Sequence, residues 1–346
     1  MNMADETLEN ILSVSTTDET LEIISPEFQS MVDPINIYEV IKKSKYSDNQ
    51  TDLYSENPII GKHTVWDPLG TKVSRGEKLS PSNIPYDKFI SIRLDGKNFS
   101  SVVPKLRSLC IFSSGYSLEF ENIMKYLANF ATKMFPDVLY VFTQSDEITI
   151  IIDTAPKNKD GEYMPNAAHE FSGRKDKLLS LASGIISTKF YEQIVLLIIK
   201  NNIGEPYQDI INIIESLPVI TFDARIGMYS TLNDAFELVL WRAYDCSVNG
   251  LSQAIYNCTL PDSKQYTSRH RSDKINFLLE NNLLPLTDHQ AYGTLLQKQI
   301  IVCENINRKT GLVNVKNKTV YSLVQGSVIN NIKNNQLPEI FRNTDL

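Results

Sequence analysis

The hydrophobic pattern sharpens at Phe89, where Phe-Ile-Ser-Ile-Arg-Leu is rich in β-prone residues and stops on Asp95-Gly96, a pair that ends a strand abruptly. This predicts a first strand. From Tyr116 to Met134 the apolar residues Leu118, Ile123, Leu127, Phe130 and Met134 recur near the i, i+3, i+4 spacing of an amphipathic helix. Val138 to Thr143 and Ile148 to Ile152 are short β-prone runs, and the intervening Gln144-Ser145-Asp146-Glu147 suits a hairpin turn. Arg174 to Tyr191 repeats the helical pattern, and Val219 to Tyr229 is a fourth strand. The order βαββαβ predicts an α+β fold: a ferredoxin-like antiparallel sheet with helices on one face, as in polymerase palms and nucleotide cyclases. Beyond it, Leu232 to Tyr256 reads as helix, residues 262–274 as a polar basic stretch, and 275–330 as short helices and strands.

This pattern divides the chain into three. Residues 1–85 carry Ser, Thr, Asn and Asp clusters with short apolar patches such as Ile35 to Ile41, and are expected to be an acidic extension, disordered in part or used in assembly. Residues 86–260 are the expected palm-like domain, and 261–346 a mixed α/β region. Net charge is −7, which argues against a nucleic-acid substrate until its distribution is considered. Residues 1–60 hold twelve acidic and three basic side chains, so the remainder is close to neutral and local basic clusters can still meet phosphates.

With 42% hydrophobic and 22% charged residues the composition is that of an ordinary globular protein. The most apolar run, Val195 to Ile199, is far shorter than the about 20 residues of a bilayer span, so no membrane segment is expected. The N-terminus lacks the order of a secretory signal, which predicts a cytoplasmic protein. Cys110, Cys246, Cys258 and Cys303 form no Cys-x-x-Cys pair and the histidines are scattered, so zinc is not expected.

In a βαββαβ sheet the end of the first strand and the turn of the central hairpin are neighbours, which brings Asp95 and Asp146 to one edge. Taken singly, each is more commonly a turn residue. Together, paired carboxylates there predict a Mg²⁺ site, because this hard cation takes oxygen ligands from one or two carboxylates plus phosphates and waters. Gly96 fits the same reading, since a residue without Cβ lets its carbonyl approach a metal. Two such ions would activate a hydroxyl and stabilise a departing phosphate.

These residues resemble the tRNA-His guanylyltransferase-like family of 3′-to-5′ RNA polymerases. Arg93-Leu94-Asp95-Gly96-Lys97-Asn98-Phe99 is similar to its first metal motif, Gln144-Ser145-Asp146-Glu147 to its second, and Phe222-Asp223-Ala224-Arg225 to its Phe-Asp-Gly-Arg segment. Trp241-Arg242, Asp245-Cys246, Asn249 and Gly293-Thr294-Leu295 follow in the family's order. The resemblance implies an enzyme that adenylylates an RNA 5′-monophosphate with ATP and then joins the 3′-hydroxyl of GTP or another nucleoside triphosphate to it. It implies that Asp95, the Gly96 carbonyl and Asp146 hold two Mg²⁺ ions with Glu147 beside them. Arg93, Ser145, Asn249 and the basic Arg174, Lys175 and Lys177 would contact nucleotide, and the protein would be a homotetramer acting on tRNA or another RNA 5′ end.

Two departures qualify that picture. The family's Lys and Asp after the first motif are replaced by Phe112-Ser113-Ser114-Gly115-Tyr116-Ser117, with Lys105 and Arg107 as nearby substitutes. The eukaryotic His-x-Asn-Asn-Leu-Tyr-Asn segment is Ser247 to Gln253 here, which favours the bacterial and archaeal like-proteins over the eukaryotic enzyme. Strict tRNA-His guanylylation, a palm-type cyclase or dinucleotide synthetase, and a nucleotide-binding protein without turnover are the alternatives. Lys264, Arg269, Arg271 and Lys274, with Tyr266 and His270, form a basic stretch read either as an RNA contact or as a solvated linker.

Overall fold

The computed structural model describes residues 70–72, 83–258, 260–306, 313–324 and 326–328. The acidic extension expected over residues 1–85 lies outside the described residues except at 70–72 and 83–85.

A six-stranded sheet carries the fold, in the order β4-β1-β3-β2-β5-β6. Its strands are β1 (Phe89–Gly96), β2 (Val138–Gln144), β3 (Glu147–Ile152), β4 (Phe222–Tyr229), β5 (Thr294–Ile306) and β6 (Val313–Val324). The β1–β3, β1–β4, β2–β3 and β2–β5 pairs are antiparallel. The first four strands stand as a βαββαβ chain requires, so the α+β expectation holds. The chain separates into two units, and residues 300–318 fall in the smaller one, whose described residues belong to β5 and β6.

Alternation along the strands gives the sheet two different faces. Ile90, Ile92 and Leu94 stand opposite Ile152, Ile150 and Ile148 and pack under three helices: α1 (Phe99–Ser108), α2 (Leu118–Ala131) and α3 (Lys175–Asn201). Phe99, Phe190 and Phe222 meet there, with ring centroids 5.1 to 5.7 Å apart. After the short α4 (Tyr207–Glu215) and β4, the long α5 (Leu232–Asn257) covers the opposite face, packing Phe236, Val239 and Ala243 with Tyr140, Phe142 and Ile151. Thr231 caps α5 by accepting from the Asp234 amide at 3.1 Å. Beyond the sheet, the C-terminal half of α5 packs Leu251 and Ile255 with Phe277 of α6 (Arg271–Glu280) and Ala291 of α7 (Asp288–Tyr292).

Two differences from the sequence pattern have local causes. The helix α1 has no counterpart in the hydrophobic periodicity, because it is built from serines, β-branched Val102 and Val103, and Pro104, all poor helix formers. It forms because Phe99, Val102 and Leu106 are buried in the core. Helix α3 runs ten residues past the expected Tyr191, through the apolar Val195 to Ile199 run. By length and composition α3 could cross a membrane, unlike any run seen in the sequence pattern. Its row of Leu178, Ala182, Ile186, Phe190, Ile194 and Ile198 is buried in the core, as in a helix that covers a sheet.

Candidate functional site

The site is assembled where β1 ends against the β2–β3 hairpin. The Gly96 amide donates to the Asp146 carbonyl at 3.0 Å, which clips the hairpin turn to the end of β1. Ser145 adopts a left-handed φ of 46° in that turn, and its hydroxyl donates to Asp146 Oδ1 at 3.0 Å. Burial, and then the charge of Asp95, push the Asp146 carboxyl above its ordinary pKa. Asp95 stands directly opposite Glu147 on one side and Asp223 on the other, so these three carboxylates form a row across the sheet on the face covered by α5. Arg93 stands two residues back on the same face.

Helix α5 lays a polar stripe along this edge. Arg242 Nε donates to Glu147 Oε1 at 2.5 Å and Nη2 reaches Asp245 Oδ2 at 3.1 Å. Asn249 Nδ2 donates to Asp245 Oδ1 at 2.9 Å, and Gln253 Nε2 donates to Ser145 Oγ at 3.3 Å. Burial pulls the Arg242 pKa down, but Glu147 and Asp245 outweigh it and the net shift is upward. Glu147 is therefore taken up by Arg242, while Asp95 and Asp146 face each other across the turn.

Above the turn lies a cavity of about 310 Å³ between α1, α2, α5 and α7. Asp146, Ser145, Gln144, Asn249, Gln253 and Gln290 line its polar side, and Phe99, Phe120 and Tyr256 its aromatic side. Its end wall is a clasp around Glu121, which is only 4% exposed. Tyr116 and Thr287 donate to Glu121 Oε2 at 2.6 and 2.7 Å, and Lys125 pairs with the other oxygen. Arg107 also lines the cavity, donating from Nη2 to the Gly115 carbonyl at 2.6 Å and to Asn257 Oδ1 at 3.0 Å. Its Nε is buried without a partner, and among the described residues it has no carboxylate beside it. Of the two substitutes expected from the sequence, Arg107 thus faces the cavity, whereas Lys105 is exposed on α1.

The donor set suits Mg²⁺. Two carboxylates lie close enough to repel, the available donor atoms are oxygens, and space for phosphates adjoins Asp146. Among the described residues no three His, Cys, Asp or Glu side chains gather as a metal cluster. Gly96 has a packing role as well, because a Cβ there would lie 2.4 Å from the Phe99 ring.

The structure brings Asp95, Gly96, Asp146, Glu147, Arg93, Ser145 and Asn249 to one edge, and it places Arg174, Lys175 and Lys177 elsewhere on the chain. Arg174 bridges to Asn83, and the Gly173 carbonyl accepts from Ile84, close to where Ala155 bonds Tyr86. That is the end of the sheet where β1 begins and β3 ends. A helix that crosses back over a sheet starts at the far end of the strand before it, so within one chain these cations lie away from Asp146. Lys177 instead sits 4.4 Å over the Phe171 ring. Arg242, Gln253 and the Glu121 clasp were not singled out as site residues by the sequence. The signal for the first two was available: Arg242, Asp245, Asn249 and Gln253 recur at i, i+3 and i+4 spacing as a polar stripe.

Comparison with known proteins accords with this geometry. Residues 71–230 match the family described as tRNAHis guanylyltransferase. An uncharacterized protein of Acanthamoeba polyphaga mimivirus is 29% identical over 250 residues, covering 69% of this chain and 80% of its own length. The tRNA(His) guanylyltransferase of Debaryomyces hansenii is 28% identical over 174 residues, covering 50% of this chain and 54% of that enzyme, about half its length. Similar solved structures include a bacterial tRNA(His) guanylyltransferase-like protein in complex with ATP, at TM-score 0.48, 18% identity and coverage of 72% of this chain and 91% of that one. The Saccharomyces cerevisiae enzyme gives a TM-score of 0.44 at 20% identity, covering 68% of this chain and 97% of that one. The match over residues 71–230 takes in both Asp95 and Asp146, so the part of the chain that carries the site is similar to the tRNAHis guanylyltransferase family.

Proposed function

We propose that the protein adds nucleotides to the 5′ end of RNA in the 3′-to-5′ direction, with Mg²⁺ held by Asp95, the Gly96 carbonyl and Asp146. The observation that carries this reading is the Asp146 carboxylate, with Asp95 close enough to repel it, lining a cavity whose aromatic and amide walls suit a nucleobase. In the activation step an oxygen of the RNA 5′-monophosphate attacks the α-phosphorus of ATP, a phosphoanhydride forms and pyrophosphate leaves. In the transfer step the 3′-hydroxyl of an incoming nucleoside triphosphate attacks the activated 5′-phosphorus and loses its proton. A phosphodiester forms and AMP leaves.

When bound, Mg²⁺ supplies charge neutralisation on phosphate oxygens and acidifies the attacking hydroxyl. The chain's own groups orient the reaction. Ser145 fixes the Asp146 carboxylate and is itself held by Gln253. Arg242 closes its ion pair on Glu147, so Asp95 and Asp146 are the carboxylates that would hold the cation. Arg107 lines the cavity and supplies the cation that the loop Phe112 to Ser117 lacks. The altered Ser247 to Gln253 segment, whose Gln253 bonds Ser145, favours base-directed 5′-end extension as in the like-proteins over strict guanylylation of tRNA-His.

The test incubates the protein with Mg²⁺, ATP, each other triphosphate in turn and several 5′-monophosphorylated, 5′-truncated tRNAs. Extension that follows the opposing base is expected, and Asp146→Asn should abolish it. Products restricted to guanosine on tRNA-His would replace this reading with the strict enzyme, and triphosphate consumption without RNA would replace it with a cyclase or synthetase. Absence of product from the wild type sinks it.

A further inference from the structure

The basic stretch of residues 264–274, exposed at Lys264 and Arg269 and half-buried at Lys274, is not used by the chemistry above, yet it is joined to the site by direct contacts. We infer that it is the track on which a single-stranded stretch of the RNA substrate runs away from Asp146, with a base stacked on Tyr256; this rests on the proposed RNA 5′-end activity.

Each link in the track is a contact in the structure. Ser145 beside Asp146 is bonded by Gln253, and one turn further along α5 Tyr256 lines the same cavity while 51% of its surface is open. Lys264 lies over the Tyr256 ring at 5.4 Å from the centroid, and Lys274 Nζ donates to Ser252 Oγ at 2.8 Å on the same helix. Arg269 is exposed between them. Among the described residues none of Lys264, Arg269 and Lys274 has a carboxylate partner, although Asp262 and Asp273 belong to the same segment. Cations without carboxylate partners next to a half-exposed aromatic ring match single-stranded nucleic acid, whose phosphates need charge and whose unstacked bases need a π surface. A double helix hides its bases and offers no use for Tyr256. An acidic protein would use the cations without the ring.

The experiment measures binding of a 5′-monophosphorylated RNA hairpin with a single-stranded extension, across a salt series, to the full chain and to the Lys264→Ala, Arg269→Ala, Lys274→Ala variant. Affinity should fall on the order of tenfold, and the salt slope by about 2 for three phosphates on a single strand. KM for RNA should rise and KM for triphosphate should stay unchanged. Tyr256→Ala should weaken binding more than Tyr256→Phe. A Lys264→Arg, Lys274→Arg variant controls for folding and should bind as the wild type does. Unchanged affinity and slope in the alanine variant, with a wild type that binds and extends RNA, would overturn the track. So would equal affinity for a blunt duplex, or preferential capture of an acidic polypeptide. A wild type that binds no RNA would overturn the proposed function itself, which distinguishes the two failures.

Discussion

Asp146 and Glu147 are adjacent in the chain but do opposite work. Burial pushes both carboxyls toward protonation, but Asp146 has the charge of Asp95 beside it, whereas Glu147 closes a buried ion pair with Arg242 whose side chains are 8% and 13% exposed. Removing one partner of such a pair leaves an uncompensated charge, so Arg242→Met should lower stability by about 3 kcal/mol or more. Adding Glu147→Gln should restore part of that loss, and a double-mutant cycle in urea measures it. Asp146→Asn should behave differently. It relieves repulsion with Asp95, so the melting temperature without Mg²⁺ should stay level or rise while turnover disappears. Added Mg²⁺ should raise the melting temperature of the wild type and leave that of Asp146→Asn unchanged, because only the intact pair binds it in the folded state.

At the scale of elements, the cavity exists because α7 is pressed onto α5. Gly250 makes that approach possible: a Cβ there would lie 2.5 Å from the Gln290 carbonyl, a backbone atom that cannot rotate away. Gly250→Ala should therefore displace α7, lower stability by about 1 to 3 kcal/mol and raise KM for triphosphate, since Gln290 and His289 line the cavity. Thermal melts and steady-state kinetics check both. Gly293→Ala should be worse, because the residue has φ 76° and a Cβ would meet the Phe142 ring at 2.4 Å. The Tyr116–Glu121–Thr287 clasp ties α7 to α2 from the other side, so the cavity wall is held at both ends.

For the molecule as a whole, the candidate site lies at one end of the sheet, and stability depends on keeping a buried group there in one protonation state. His289 is buried, accepts or donates at Thr294 Oγ1 over 2.8 Å, and burial pushes its pKa down to about 4 despite the attraction of Glu121. The folded state thus holds it neutral while an unfolded chain titrates near its ordinary value of about 6.5. Its contribution is complete above that value and is lost as pH falls toward 4, by up to about 3 kcal/mol. Melting temperatures between pH 7 and pH 5 should fall for the wild type, and less steeply for His289→Gln. The opposite end of the sheet holds Arg174, Lys175 and Lys177, which one chain does not bring to Asp146.

Much of this was present in the sequence because it depends on local physics. Alternation in Phe89 to Leu94, the Ile-rich run Ile148 to Ile152 and the helical spacing from Leu118 to Met134 are properties of neighbouring residues, and each appears as the strand or helix expected. The pairing of Asp95 with the hairpin turn also followed, since βαββαβ connectivity allows few strand orders. What required the tertiary structure was every relation between residues far apart in the chain whose types are ordinary. Helix α1 forms against its own propensity because burial of Phe99 and Leu106 outweighs Pro104. The choice of Arg107 over Lys105 depends on which side of α1 faces the cavity, and that side is set by packing. The position of Arg174, Lys175 and Lys177 at the other end of the sheet has the same origin: a crossover helix must start at the far end of the preceding strand, a constraint of chain geometry that residue type does not carry.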